Sequence, residues 1–147
     1  MASAVSAVST AQRERVLYNK LFWVGPLAIV ASIIGNLLVR IVTVALLNPD
    51  PAFQPLGWGP PIGLTFFGVL GAIIIYAIIG RFSRRPITLF RRIALVALIV
   101  SFVPDIALLV VPSQPGTTIG AVIALIVMHV VAWWIAVELL TRLAGEQ

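Results

Sequence analysis

The sequence predicts an all-α protein, a transmembrane four-helix bundle, on three observations. Hydrophobic residues make up 61% of the chain and charged ones 10%, with a mean hydropathy of +1.10. Soluble domains carry about 25% charged residues, so this chain cannot cover a water-facing surface, and its solvent is lipid. Four apolar stretches reach the length of about 20 helical residues that a hydrocarbon core requires. Prolines, glycines and arginines separate them, where helices must stop and polar groups can meet water. Continuous apolar runs of this length exclude barrel strands, which alternate. The 147 residues allow one bundle and no second domain of any size.

Residues 1–20 read as an N-terminal tail, with "MASAVSAVSTA" mobile and "QRERVLYNKLFWV" continuing as an interfacial helix. The tail does not read as a cleaved signal. Charged residues part it from a first span that is too long for a signal core and contains Arg40. The bundle occupies residues 21–142. Span one, about 21–47, stops at Asn48-Pro49-Asp50-Pro51, where two prolines remove backbone donors. Span two, about 61–80, starts at Pro60-Pro61, because a first helical turn tolerates a missing N–H, and ends at Gly80. Span three, about 93–111, ends at Pro112, and span four, about 118–140, takes Thr117 or Thr118 as its cap. Residues 143–147 are a short C-terminal tail.

Positive charge sets the expected orientation. Arg13, Arg15 and Lys20 precede span one, and Arg81, Arg84, Arg85, Arg91 and Arg92 lie between spans two and three. The first connection holds only Asp50, and the third holds no charge. Lys and Arg stay cytoplasmic, so both termini and the arginine-rich connection face inside, as in a bacterial inner-membrane protein. Tyr18 and Trp23 suit the inner interfacial belt and Trp58 the outer one. The same arginines can meet anionic headgroups. Their placement between spans turns a net charge of +5 and a pI near 11.2 into a topology signal rather than a nucleic-acid footprint. Absent cysteine removes disulfides, thiolate catalysis and cysteine-ligated metals or clusters.

Few polar residues fall inside the spans, and they fall at matching depths. At about 1.5 Å per residue, Arg40 lies roughly 10 Å from the outer end of span one and Asp105 roughly 9 Å from that of span three. Asn36 and Ser101 lie near 15–16 Å and His129 near 18 Å, each depth being an estimate from about the same rise. Ser32, Asn36, Arg40 and Thr43 recur at helical spacing, and Ser101 and Asp105 are four apart. The economical arrangement turns these faces inward and pairs Arg40 with Asp105, with His129 nearby. Such a pair either fixes helix register or serves a function. Pro104 cannot donate to the Val100 carbonyl and is expected to kink span three beside it.

Other readings of these residues are weaker. His129 has no second histidine, which excludes bis-histidine haem and a histidine-rich metal site. Ser101, His129 and Asp105 name a hydrolytic triad, yet no nucleophile elbow or oxyanion-hole motif accompanies them. Glu138 and Arg142 form an ordinary i,i+4 pair. Gly68/Ala72 and Gly120/Ala124 have the small-xxx-small spacing that lets helices approach. Trp133 and Trp134 are adjacent, so at least one faces lipid, a cofactor or another subunit.

"GNLLVR" in span one, "FFGVLGAIIIYAIIGRFSRRP" through span two, "SFVPD" in span three and "LIVMHVVAW" in span four complete a pattern. Over about residues 25–140 the chain resembles a bacterial family of small four-helix integral membrane proteins, a domain of unknown function. The most specific elements are Ser101-x-x-Pro104 and Met128-His129. The resemblance implies the fold and compartment and no substrate. It also implies that the position after the proline is often apolar, so Asp105 departs from the pattern.

The leading functional expectation is a non-enzymatic accessory or scaffold subunit of a larger membrane assembly, or a homo-oligomer, with no cofactor. The loops are short and no catalytic constellation is visible. One alternative is a small proton-coupled transporter in which Asp105 and His129 exchange protons, with Arg40 as counter-charge. Another is an intramembrane binder of a lipid, quinone or pigment lined by Trp133, Trp134 and His129.

Overall fold

A computed structural model describes residues 14–111 and 114–146. The tail expected to be mobile over residues 1–11, and Pro112 as the stop of span three, lie outside the described residues. The helices are α1 (Tyr18–Leu47), α2 (Gly59–Phe82), α3 (Pro86–Val110) and α4 (Ile119–Leu143), all long and apolar enough to cross a membrane. A short 3-10 turn, Gln54–Leu56, lies between α1 and α2, and β1 (Arg15–Val16) pairs antiparallel with β2 (Gly145–Glu146).

Helix ends follow local chemistry. Asn48 closes α1 in the left-handed region (φ 41°), its N–H donating to the Val44 carbonyl. Thr118 caps α4 by accepting from the Ala121 N–H at 3.1 Å. Several boundaries differ from expectation by two or more residues, and two of them have a clear cause. α3 begins at Pro86 rather than near Ile93, because proline suits a first turn and the helix runs on beyond its most apolar part. Arg91 and Arg92 are therefore helical. α2 runs through Gly80 to Phe82, because Gly80 serves packing instead of termination. A Cβ there would lie 2.6 Å from Val16 Cγ2 and 2.9 Å from the Tyr18 hydroxyl.

Of the stretch expected as an interfacial helix, residues 12–13 lie outside the described residues, Arg15–Val16 form a strand instead, and residues 18–24 are helical as the first turns of α1. Val16 is buried against Gly80, and the Leu17 N–H donates to Ala144 O at 2.9 Å, so tertiary contacts override the local helical pattern. Glu14 then reaches across to the start of α3. Its carboxylate accepts from the Thr88 N–H at 3.0 Å and the Thr88 hydroxyl at 2.5 Å. Partial burial raises the Glu14 pKa, but the bonds from Thr88 and Ile87 and the nearby Arg85 outweigh it and hold the carboxyl below its usual 4.5. A carboxylate at a helix N-terminus is also favoured by the helix dipole. Residues 14–17, residues 144–146 and the start of α3 are thereby tied together at one end of the bundle.

The helices form a ring in which α1 neighbours α2 and α4, and α3 neighbours α2 and α4. α1 packs most extensively on α4, while α2 and α3 meet over much less of their length. Large apolar side chains such as Phe22 (85% exposed), Leu38 and Phe67 face outward all round the bundle. That surface is compatible with lipid and not with water. Inward, Ser32, Asn36, Thr43, Thr65 and Asp105 are buried, so the polar stripe of α1 does face the interior.

Candidate intramembrane binding site

A half-open cavity of about 490 Å³ lies along the α2–α3 seam, with α4 as its floor. Its mouth is marked by lining residues that are themselves exposed: Leu64 and Gly68 of α2 and Ala97 of α3. Small side chains there leave the two helices apart. Gly68 has open space where a Cβ would stand, so the Gly68/Ala72 pattern does not draw α2 onto a neighbour. Gly120 behaves otherwise, since a Cβ would meet Leu47 Cδ1 at 3.0 Å.

Asp105 and His129 meet on the cavity wall. His129 Nδ1 lies 3.0 Å from Asp105 Oδ2 and also 3.0 Å from the Leu125 carbonyl. One N–H cannot serve both well; the bond to Leu125 is well directed, whereas Oδ2 accepts no aligned hydrogen bond among the described residues. The Asp105 side chain is 11% exposed and that of His129 40%, the histidine facing the cavity space. The Phe102 ring stands edge-on to the imidazole at 6.5 Å. Among the described residues no third metal-ligating side chain joins them.

The expected Arg40–Asp105 pair does not form. α1 and α3 sit diagonally in the ring, so residues at one depth on them are not neighbours. Arg40 instead donates through Nε to the Leu56 carbonyl at 2.8 Å, and its guanidinium lies 3.7 Å from the Trp58 ring centre. It ties α1 to the connection and to the start of α2. Arg40 is thus not the counter-charge that the transporter alternative requires.

Asn36 Nδ2 donates to Thr65 Oγ1 at 2.8 Å, joining α1 to α2 beneath the cavity, while Asn36 Oδ1 has no partner among the described residues. Ser101 lines the cavity, but its hydroxyl donates to Leu98 O at 2.6 Å within its own helix. The Ser–His–Asp set is therefore not assembled. Pro104 lies inside α3, which continues to Val110, and it lines the cavity beside Asp105. The two tryptophans divide: Trp133 lines the cavity with its Nε1 buried and unpaired among the described residues, and Trp134 points outward, 62% exposed.

Of the arginines, Arg91 donates to Thr141 Oγ1 at 3.0 Å and links α3 to α4, and the loop residues Arg84 and Arg85 are exposed. Arg81 ends α2, Arg92 is exposed on α3, and Arg142 pairs with Glu138 as its spacing predicts. Sequence reading missed Thr65, Glu14 and Thr88. Thr65 lies four residues after Pro61 on an otherwise apolar helix, and only its solitary polarity marked it.

These features define a small all-α protein whose four helices are long and apolar enough to cross a membrane, with a lateral, mostly apolar pocket. The chain belongs to the family of unknown function DUF6069, which it matches over residues 12–146. No curated protein and no solved structure matches it.

Proposed function

We propose that this protein binds a lipid-soluble small molecule in the α2–α3 cavity, taking it from the surrounding bilayer. The observation that carries the reading is an apolar cavity that opens sideways yet holds the Asp105–His129 pair. Its volume falls within the roughly 300–1,000 Å³ typical of small-molecule pockets. A side entrance suits a ligand already dissolved in lipid. Binding alone, without a chemical step, is the function assigned. We place the termini and the α2–α3 connection on the cytoplasmic side, because Arg15, Lys20, Arg81, Arg84 and Arg85 gather at that end.

The test is extraction of the detergent-purified protein from its own membrane, followed by mass spectrometry of co-purified small molecules. A defined amphiphile should accompany the wild type and be depleted in Ala97→Trp, which fills the mouth. Equal lipid profiles in the two samples would count against the pocket. The same preparation examines a second reading, a subunit of a larger assembly. Gly68 and Gly71, one turn apart on α2 with open space beside them, favour it. Co-purification of a stoichiometric membrane partner would support it.

A further inference from the structure

Independently of that cavity, we infer that Arg40 and Trp58 form a second site, which binds a phosphate group at the end of the bundle opposite the β1–β2 pair. None of the five acidic side chains pairs with Arg40. Glu138 meets Arg142, Asp105 meets His129, Glu14 accepts from Thr88, Asp50 accepts from the Ala52 N–H, and Glu146 lies in β2 at the far end. Of the N–H donors of Arg40 only the one on Nε is engaged among the described residues, on the Leu56 carbonyl. The Nη groups have no partner there, yet they are not among the polar atoms sealed inside the protein, so they stay accessible. The Leu56 carbonyl at 2.8 Å and the Trp58 ring at 3.7 Å hold the guanidinium in place. The result is an unpaired cation, fixed in position and open along its donor edge.

Position narrows the anion to phosphate. Arg40 stands about 10 Å of helical rise before α1 ends at Leu47. Its side chain turns toward Leu56 and Trp58, in the connection to α2, which carries the charge toward the membrane surface. Trp58 is 57% exposed and suits the interfacial level, where lipid phosphates lie. The α2 N-terminus after Trp58 has no acidic residue in its first turn and no side-chain cap, so its dipole adds to the positive field. A guanidinium edge matches two phosphate oxygens at once, which an ammonium cannot do. A lipid phosphodiester and a free phosphate ion share this chemistry. Arg40 does not line the α2–α3 cavity, so an occupant of this site need not enter it.

Labelling of the purified full-length wild type in detergent with an arginine-directed phenylglyoxal, mapped by peptide mass spectrometry, tests this. The protectants are phosphatidylglycerol, diacylglycerol with the same chains, oleate and inorganic phosphate. Phosphatidylglycerol should protect Arg40 at a concentration at least roughly tenfold below that needed for the exposed loop residues Arg84 and Arg85, because a fixed fork gains paired charge-assisted bonds. Diacylglycerol and oleate should not protect it at that concentration. Protection by the phospholipid alone identifies a lipid headgroup as the source, and equal protection by inorganic phosphate identifies the free ion. Arg40→Lys keeps the charge and loses the fork, so native mass spectrometry should show its phosphatidylglycerol adduct weakened by roughly 3- to 10-fold. The labelling needs no variant and stands whether or not Arg40→Lys folds. If Arg40 is protected no better than Arg84 and Arg85, or if diacylglycerol or oleate protects it equally, the phosphate site falls and the cavity reading is untouched.

Discussion

The α1–α4 and α2–α3 seams use similar residues to opposite ends. In the first, Gly35 lets α1 close on α4, and a Cβ there would lie 2.9 Å from Ile135 Cδ1 and 3.0 Å from Val131 Cγ1. In the second, Gly68 meets nothing within contact distance, and the helices stand apart around a cavity. A glycine pattern marks a place where a helix can be approached, and does not say whether anything approaches. Lipid removes the hydrophobic force that would collapse an open seam in water, so packing and polar contacts alone decide which seams close.

The sharpest way to break this contrast is at its polar centre. His129→Leu removes the imidazole 3.0 Å from Asp105 and leaves a buried carboxyl without that partner, and should lower stability in detergent unfolding by about 1–3 kcal/mol. The double variant with Asp105→Leu should recover most of that loss, since both polar partners go together. At the closed seam, Gly35→Ala should cost about 1–3 kcal/mol through overpacking against Ile135 and Val131. Arg40→Leu orphans the Leu56 carbonyl and should cost about 1–2 kcal/mol, with Arg40→Lys a poor substitute for the stacked, forked guanidinium. Gly68→Ala at the open seam should do the reverse of Gly35→Ala and stabilise by about 0.5–1 kcal/mol, as helix propensity alone dictates.

The smallest effect concerns the terminal clasp that seats α3 beside α2. The Glu14 carboxyl sits below its usual 4.5 in the folded protein, so its contribution is present above that value and is lost as pH falls through the lowered folded value. Glu14→Gln should flatten the acid limb of a stability–pH curve and leave the neutral and alkaline limbs parallel to the wild type. An unchanged acid limb would show that the Thr88 contact is not maintained in solution.

What the sequence made legible was what depends on one helix at a time. Spans, the inward stripe of Ser32, Asn36 and Thr43, the Thr118 cap and the Glu138–Arg142 pair all follow from periodicity or local spacing. The illegible part needed the order of helices around the ring. Depth placed Arg40 level with Asp105, but no local pattern says that α1 and α3 are diagonal, and so the aspartate's true neighbour was His129 of α4. Gly80 misled for a related reason: it read as a helix stop, while its role depends on Val16 and Tyr18, distant in the chain. The β1–β2 pair, spanning nearly the whole sequence, was invisible to any window.

The central claim is that the α2–α3 seam receives a small molecule from lipid. A diazirine-bearing monoacylglycerol, photolysed in nanodiscs with the wild type and mapped by peptide mass spectrometry, tests it directly. The carbene inserts into any nearby bond and needs no water. Cross-links are expected to concentrate on cavity-wall residues such as Ala72, Leu98 and Ala132, and to be competed by the unlabelled lipid. Labelling spread evenly over outward positions such as Phe22, Leu38 and Phe67, and insensitive to competitor, would contradict it.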